Sequence, residues 1–221
     1  MTTEQASSPK SWTVRLRRRV VDTVPPGQWL PDRQPVYVRS WIYVFGVATL
    51  AALLVVLGSG IVLTVGGAEW WHRSSVGHFA NSVHLWSVEL FFMCMVIHLW
   101  GKFFMAAWRG KRALTWITGA VAFVGSIGTA FTGYLSQSNF DSQWISTQAK
   151  DGLNAVGIGA YFNVLNPAQM LLWHIVLLPL VVGILVVAHV ILVRRHGVVP
   201  PFDAVPPAAD ADRSEATEGQ R

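Results

Sequence analysis

An all-α integral membrane protein is the fold class that this sequence predicts, and three observations predict it. The chain is 52% hydrophobic with only 13% charged residues over its 221 positions, a balance unlike that of ordinary soluble domains. Four windows, at about 41–65, 82–106, 114–135 and 168–193, are apolar for long enough to cross roughly 30 Å of hydrocarbon at about 1.5 Å per residue. The chain also holds 11 Trp, and the adjacent Trp70 and Trp71 after the first window suit an aromatic belt at a membrane interface. A bundle of four transmembrane helices is expected.

Residues 1–40 carry seven basic side chains, Lys10, Arg15, Arg17, Arg18, Arg19, Arg33 and Arg39, against three acids. The first span starts too far in, behind too many charges, to be a cleaved signal peptide, and is expected to be retained. Within this leader, "VPPGQWLP" at 24–31 reads as an interfacial segment on the cytoplasmic surface. Lys102, Arg109, Lys111 and Arg112 lie between the second and third spans, and Arg194 and Arg195 follow the fourth. The other two connections hold only Arg73 and Lys150. The positive-inside rule therefore puts both termini in the cytoplasm, in a multi-pass protein of the cell membrane. The net charge of +5 follows from that topology, and no nucleic-acid partner is inferred from it.

The first outer connection, "GGAEWWHRSSVGHFA" at 66–80, reads as a loop. The second, 136–167, is long and mixed, the kind of connection that is functional or holds short helices of its own. Pro, Ala and Asp dominate 199–221, which reads as a disordered cytoplasmic tail. The expected division is thus a basic leader over 1–40, a four-helix domain over 41–198 and a tail over 199–221. The single cysteine, Cys94, lies inside the second span and offers no disulfide, CxxC or CxxCH signal. Covalent haem is not expected, and Cys94 reads as a small packing residue.

Four of the seven histidines, His84, His98, His174 and His189, fall inside the second and fourth spans. His84 and His98 are fourteen apart, which on a helix returns to within about 40° of the starting azimuth some 21 Å along the axis. His174 and His189 are fifteen apart, about 22 Å and 60° off, still compatible with one face if the helix tilts or bends. Both spans run inward under the topology above, so His84 and His174 share an outer level and His98 and His189 a cytoplasmic one. An imidazole in lipid is costly unless satisfied, and intramembrane ionisable groups point to function. Two non-covalent bis-histidine b haems, stacked inside the bundle, would satisfy all four as axial iron ligands. Hydrogen bonding to neighbouring helices is the plain alternative. Zinc or a di-iron centre would want its ligands clustered, and a proton relay would want acids, of which only Glu89 lies in a span. The surface histidines His72, His78 and His196 carry no such pattern.

Glycine repeats at the same interval. Gly46 and Gly60 in the first span, and Gly119 and Gly133 in the third, are each fourteen apart. A residue without a side chain lets a planar macrocycle approach the backbone, so these positions read as haem clearance. Small-residue helix packing would also select glycine.

With these residues in view the chain resembles the N-terminal, four-helix, di-haem half of cytochrome b from bc-type complexes, and most closely the split, cytochrome b6-like form. The motifs that carry the resemblance are "SVHLW" at 82–86, His98, "ALTWITG" at 113–119, "TGY" at 132–134, Trp144, "HIVLLP" at 174–179, His189 and "RRHGVVPP" at 194–201. The resemblance covers roughly 40–202, and the fifteen-residue interval in the fourth span is itself a mark of the split form. It implies an outer, low-potential haem on His84 and His174 and an inner, higher-potential haem on His98 and His189. It also implies quinol oxidation at the outer side, with one electron passing to a Rieske iron-sulfur protein and the other crossing through the haems to an inner quinone. Further implied partners are a c-type cytochrome or other acceptor, within a dimeric complex. Arg194 matches a position beside the inner haem's propionates, or is simply a positive-inside flank. Tyr134 and Trp144 match neighbours of the outer quinol site.

Departures from the family pattern qualify this picture. Ser136, Gln137 and Ser138 stand where Leu-Pro-Trp usually follows "GY", and Leu85 and Gln169 replace basic residues beside the outer haem. The plastid form's extra, covalently held haem needs a cysteine in the region matching "IYVFG", which has none. The C-terminal half of cytochrome b is expected from a separate subunit. The leading expectation is a di-haem cytochrome b subunit of a membrane quinol oxidoreductase, active only in its complex. The alternative is a haem-b membrane anchor linking quinone to a peripheral dehydrogenase or reductase, without a bifurcating quinol site.

Overall fold

The computed structural model describes residues 12–23, 25, 38 and 40–200. Lys10, Arg33, Arg39, most of the 24–31 segment and the tail beyond residue 200 lie outside the described residues. Helix α1 runs Trp12–Thr23, with every residue exposed. Four stretches are long and apolar enough to cross a membrane: Trp41–Arg73, Ser75–Phe104, Gly110–Leu135 and Pro167–His196. Among the described residues there is no strand. The fold is all-helical, as the apolar windows require, since a helix satisfies its own backbone polar groups where no water can.

The helices divide into two compact units, and in the first, α2 (Val44–Arg73) and α3 (Ser75–Phe104) form an antiparallel pair. The expected loop over 66–80 is instead helical almost throughout. Within α2, Gly67 leaves helical geometry, at φ 77 and ψ 163, a conformation open to a residue without Cβ. Ser74 is the whole turn: its backbone is extended, and its Oγ accepts from the Gly77 N–H at 2.9 Å, capping α3. Ala52, Phe91, Cys94 and Met95 are buried, so Cys94 packs as expected. At the other end the Tyr43 hydroxyl donates to the Val199 carbonyl at 2.7 Å, and the Lys102 ammonium lies 3.7 Å from the centre of the Tyr43 ring.

The second unit contains α4 (Ala113–Leu135), α5 (Phe140–Ala155), α6 (Pro167–Leu172), a π-helical turn (Trp173–Leu177) and α7 (Leu178–His196). The long connection over 136–167 is thus more ordered than a loop with short helices, since α5 spans 16 residues. Asn139 caps α5 by accepting from the Ser142 N–H at 2.8 Å, and Asn166 caps α6, where Pro167 takes a first-turn position that needs no N–H donor. The connection has its own small core of Leu135, Val164 and Met170, flanked by Ala149, Leu153, Phe162 and Trp173. Where α4 meets α7, the buried Val182 packs 3.1 Å from the space a Cβ on Gly125 would fill. The Arg112 guanidinium closes the far end, donating to the Gly197 and Val198 carbonyls at 3.3 Å each.

Met170 is fully buried, and its truncation leaves a cavity under the 136–167 connection. Met170→Ala should cost about 2–5 kcal/mol locally. Hydrogen exchange on the detergent-solubilised chain should show lost protection across 140–172, with α2 and α3 unchanged.

A candidate haem-ligand site on two helix pairs

All four intramembrane histidines stand opposite a glycine of the antiparallel helix. On α2 and α3, the Cβ position of Gly46 lies 3.0 Å from the His98 ring and that of Gly60 lies 3.2 Å from the His84 ring. On the second unit, Gly119 stands 2.9 Å from the His189 ring, and Gly133 abuts the His174 ring still more closely. Two ligand candidates on one helix thus face two glycines on its neighbour, once in each unit. The glycine repeat read as macrocycle clearance makes room, in the first instance, for the imidazoles themselves.

That room lets each ring lie against helix backbone and find an acceptor there. His84 Nδ1 is 3.1 Å from the Val56 carbonyl, His174 Nδ1 is 2.8 Å from the Thr129 carbonyl, and His189 Nδ1 is 2.8 Å from the Thr115 carbonyl. A carbonyl only accepts, so in each ring Nδ1 carries the proton and Nε2 keeps the lone pair. In all three cases the acceptor sits four residues before the facing glycine, one helical turn away, and uses its second lone pair for the ring. Each of these three imidazoles is therefore a donor at Nδ1, and its Nε2 is the nitrogen left to serve as a ligand.

The fifteen-residue interval finds its explanation in the π-helical turn Trp173–Leu177, which contains His174. A π-turn takes one more residue per turn than an α-helix, and that residue cancels about 100° of rotation. The expected 60° offset thereby shrinks to the same ~40° seen for fourteen residues of regular helix. The facing glycines agree, because fourteen residues of α2 match fourteen of α3, whereas fourteen residues of α4 match fifteen here. Pro179 supplies the cause: it has no N–H for the Ile175 carbonyl, so the α-helical ladder is interrupted one turn before it.

Sequence reasoning missed three hydroxyls that stand immediately before these glycines, Ser59, Thr118 and Thr132. Ser59 Oγ lies 3.0 Å from His84 Nδ1 and Thr118 Oγ1 lies 3.2 Å from His189 Nδ1. Thr132 donates to the carbonyl of Thr129, the acceptor for His174, at 2.9 Å. The signal was in the dipeptides Ser-Gly and Thr-Gly at three of four glycine positions, the fourth being Phe45-Gly46.

The other candidates are less concentrated. Arg194 is exposed at the end of α7, and Glu89 is exposed on α3. Tyr134 and Trp144, at 39% and 58% exposure, lie on α4 and α5. The Ser136–Ser138 segment is used structurally: Gln137 accepts from the Asn139 side chain and, through its carbonyl, from the Ser142 hydroxyl. Gln169, in place of a basic residue, accepts from the Asn163 N–H at 2.9 Å. His72 and His78 flank the turn, on the last turn of α2 and the first turn of α3, and His78 Nε2 donates to the His72 carbonyl at 2.7 Å.

A methyl added at the facing glycines should displace the imidazoles in proportion to the space missing. Thermal unfolding of the solubilised chain should fall most for Gly133→Ala and least for Gly60→Ala, with overpacking losses of about 1–3 kcal/mol. Gly58→Ala and Gly183→Ala, which meet nothing within 4 Å, should be neutral or slightly stabilising.

Comparison with known proteins identifies the family. A family model described as cytochrome b(N-terminal)/b6/petB matches residues 89–213, more than half of the chain. A cytochrome bc complex cytochrome b subunit of Chlorobaculum thiosulfatiphilum is 32% identical over 137 residues, 57% of this chain and 32% of that protein. Cytochrome b6 of Heliomicrobium gestii is 29% identical over 137 residues, 57% of this chain and 64% of that protein. In fold, a chain of a hyperthermophilic respiratory Complex III superposes with a TM-score of 0.67 at 18% identity, covering 88% of this chain and 57% of that one. In each comparison the chain spans less than two thirds of the relative's length. With a family model matched over more than half of its length, the chain belongs to the cytochrome b(N-terminal)/b6 family, in its b6-like form.

Proposed function

We propose that this protein is a di-haem cytochrome b subunit that carries electrons across the membrane inside a bc-type quinol oxidoreductase. Family membership implies binding of haem b. The observation that carries the fuller reading is the set of imidazoles held as Nδ1–H donors over glycine, which leaves Nε2 as a neutral nitrogen ligand. This donor chemistry fits haem iron. The reading pairs His84 with His174 at the outer level and His98 with His189 at the inner level, from their intervals along the chain. When bound, b haem supplies one-electron transfer without a change in its ligands.

The chain's own residues hold and orient the ligand rings, fix their tautomers through backbone acceptors and surround them with an apolar helix surface that excludes water. His84 and His98 are set roughly 21 Å apart by fourteen residues of α3. That span carries charge from one face of the membrane towards the other. Arg194, at the inner end, has the charge to pair with propionates. Tyr134 and Trp144 are the proposed neighbours of an outer quinol. The basic connections at 102–112 and 194–195 support cytoplasmic termini in the cell membrane. A C-terminal cytochrome b subunit, a Rieske protein and a c-type cytochrome or other acceptor complete the proposed assembly, which is dimeric.

The test is a reduced-minus-oxidised spectrum with pyridine-haemochrome stoichiometry on the purified chain. About two non-covalent b haems are expected. His84→Ala and His174→Ala should remove the same haem by potential, and His98→Ala and His189→Ala the other. Absence of haem, or content unmoved by all four substitutions, would refute the reading.

A further inference from the structure

Hydroxyls inside membrane helices ordinarily return their proton to a carbonyl one turn back, and several here do only that: Thr49 to Phe45, Thr64 to Gly60, Ser126 to Ala122. Ser59 and Thr118 do this and something more. Ser59 Oγ donates to the Val55 carbonyl at 2.7 Å, with the Val56 carbonyl at 3.1 Å, while the same oxygen lies 3.0 Å from His84 Nδ1. Thr118 Oγ1 donates to the Thr115 carbonyl at 2.8 Å while lying 3.2 Å from His189 Nδ1. Each hydroxyl has one proton and has committed it to backbone, so towards the ring its oxygen can only accept.

The Nδ1–H of His84 is therefore shared between the Val56 carbonyl and Ser59 Oγ, and that of His189 between the Thr115 carbonyl and Thr118 Oγ1. Two acceptors on one N–H fix the rotation of the ring about its own bond more tightly than one. They also draw the proton away from Nδ1, which makes Nε2 a stronger electron donor. Both hydroxyls stand one residue before the glycine that admits the ring. Glycine opens the seat, and the preceding hydroxyl completes it. His98 faces Gly46, where the preceding residue is Phe45.

We propose that Ser59 and Thr118 are positioning residues, one for each proposed haem, which set the orientation and donor strength of His84 and His189 as axial ligands. The proposal rests on the di-haem reading above. A stronger imidazole donor stabilises ferric over ferrous iron, so each hydroxyl lowers the midpoint potential of its own haem. Through His84 and His189, Ser59 acts on the outer haem and Thr118 on the inner one.

The experiment is a potentiometric titration of the purified chain, with low-temperature EPR of the ferric haems, for wild type, Ser59→Ala, Thr118→Val, Ser59→Thr, Thr118→Ser and the control Thr64→Ala. Ser59→Ala is expected to raise the potential of the haem that His84→Ala removes and to leave the other in place. Thr118→Val should do the same for the haem lost in His189→Ala. A tenfold change in the oxidised-to-reduced ratio reads as about 59 mV for a one-electron couple. The hydroxyl-retaining variants should keep wild-type potentials and ferric spectra, and the control should move neither. If Ser59→Ala or Thr118→Val loses its haem while the hydroxyl-retaining partner keeps it at normal potential, the positioning role also stands. Both haems present with potentials and spectra unmoved in Ser59→Ala and Thr118→Val would overturn the proposal, as would equal effects from the hydroxyl-retaining variants. A wild-type chain without haem would instead overturn the di-haem reading, so the two failures are told apart.

Discussion

The structure depends on one interaction repeated along it, an imidazole N–H given to a helix carbonyl across a glycine. A histidine inside a membrane span leaves a polar ring where no water can satisfy it. A neighbouring helix offers carbonyls, but each already accepts from its own chain and is screened by the side chain one turn on. Removing that side chain exposes the second lone pair. Val56, Thr115 and Thr129 become acceptors for this reason, because Gly60, Gly119 and Gly133 follow them by one turn. The same bond that satisfies Nδ1 leaves Nε2 as the only ring atom with a lone pair to give, so satisfying the ring and preparing a metal ligand are a single event.

Register follows from that interaction. Four seats on two antiparallel pairs require the histidine interval on one helix to match the glycine interval on the other. On α2 and α3 both are fourteen and both helices are regular. In the second unit the histidine helix has one residue too many, and the π-turn over Trp173–Leu177 houses it. Pro179 makes this turn cheap, since an α-helical bond to the Ile175 carbonyl is already impossible. A local defect in one ladder thereby preserves long-range alignment of two ring positions. The hydroxyls of Ser59 and Thr118 then add a second acceptor at two of the four seats, and the proposed difference in donor strength among the ligands arises from which residue precedes the glycine.

Membrane length and functional shape are handled by different residues. The four spans are long and apolar enough to cross a membrane, whereas their ends are closed by polar devices: Ser74 as a one-residue turn, Arg112 on the Gly197 and Val198 carbonyls, Asn139 and Asn166 as helix caps. The 136–167 connection buries Leu135, Val164 and Met170 as a core of its own, which gives α5 a fixed base. Tyr134 and Trp144 are thus carried on helices, and the Ser136–Ser138 stretch that departs from the family motif takes part in building the α5 cap.

The sequence by itself determined the fold class, the four spans, the four histidines and the matching glycines, since apolar length and residue spacing are local quantities that survive without a structure. It also contained enough motif to place the family. It misjudged the 66–80 connection, because Trp, Gly and charged residues mask a helix whose hydropathy is mixed. It also undervalued α5, whose inward stripe of Ser142, Ser146, Ala149 and Leu153 is small and partly polar rather than apolar. Tertiary structure alone decided the acceptors of the imidazoles, the tautomers that follow from them and the second contacts from Ser59 and Thr118. Those partners lie 28, 45 and 74 residues from His84, His174 and His189 along the chain. Distances of that kind are fixed by packing two helices in one register, and no spacing rule within a single helix contains them.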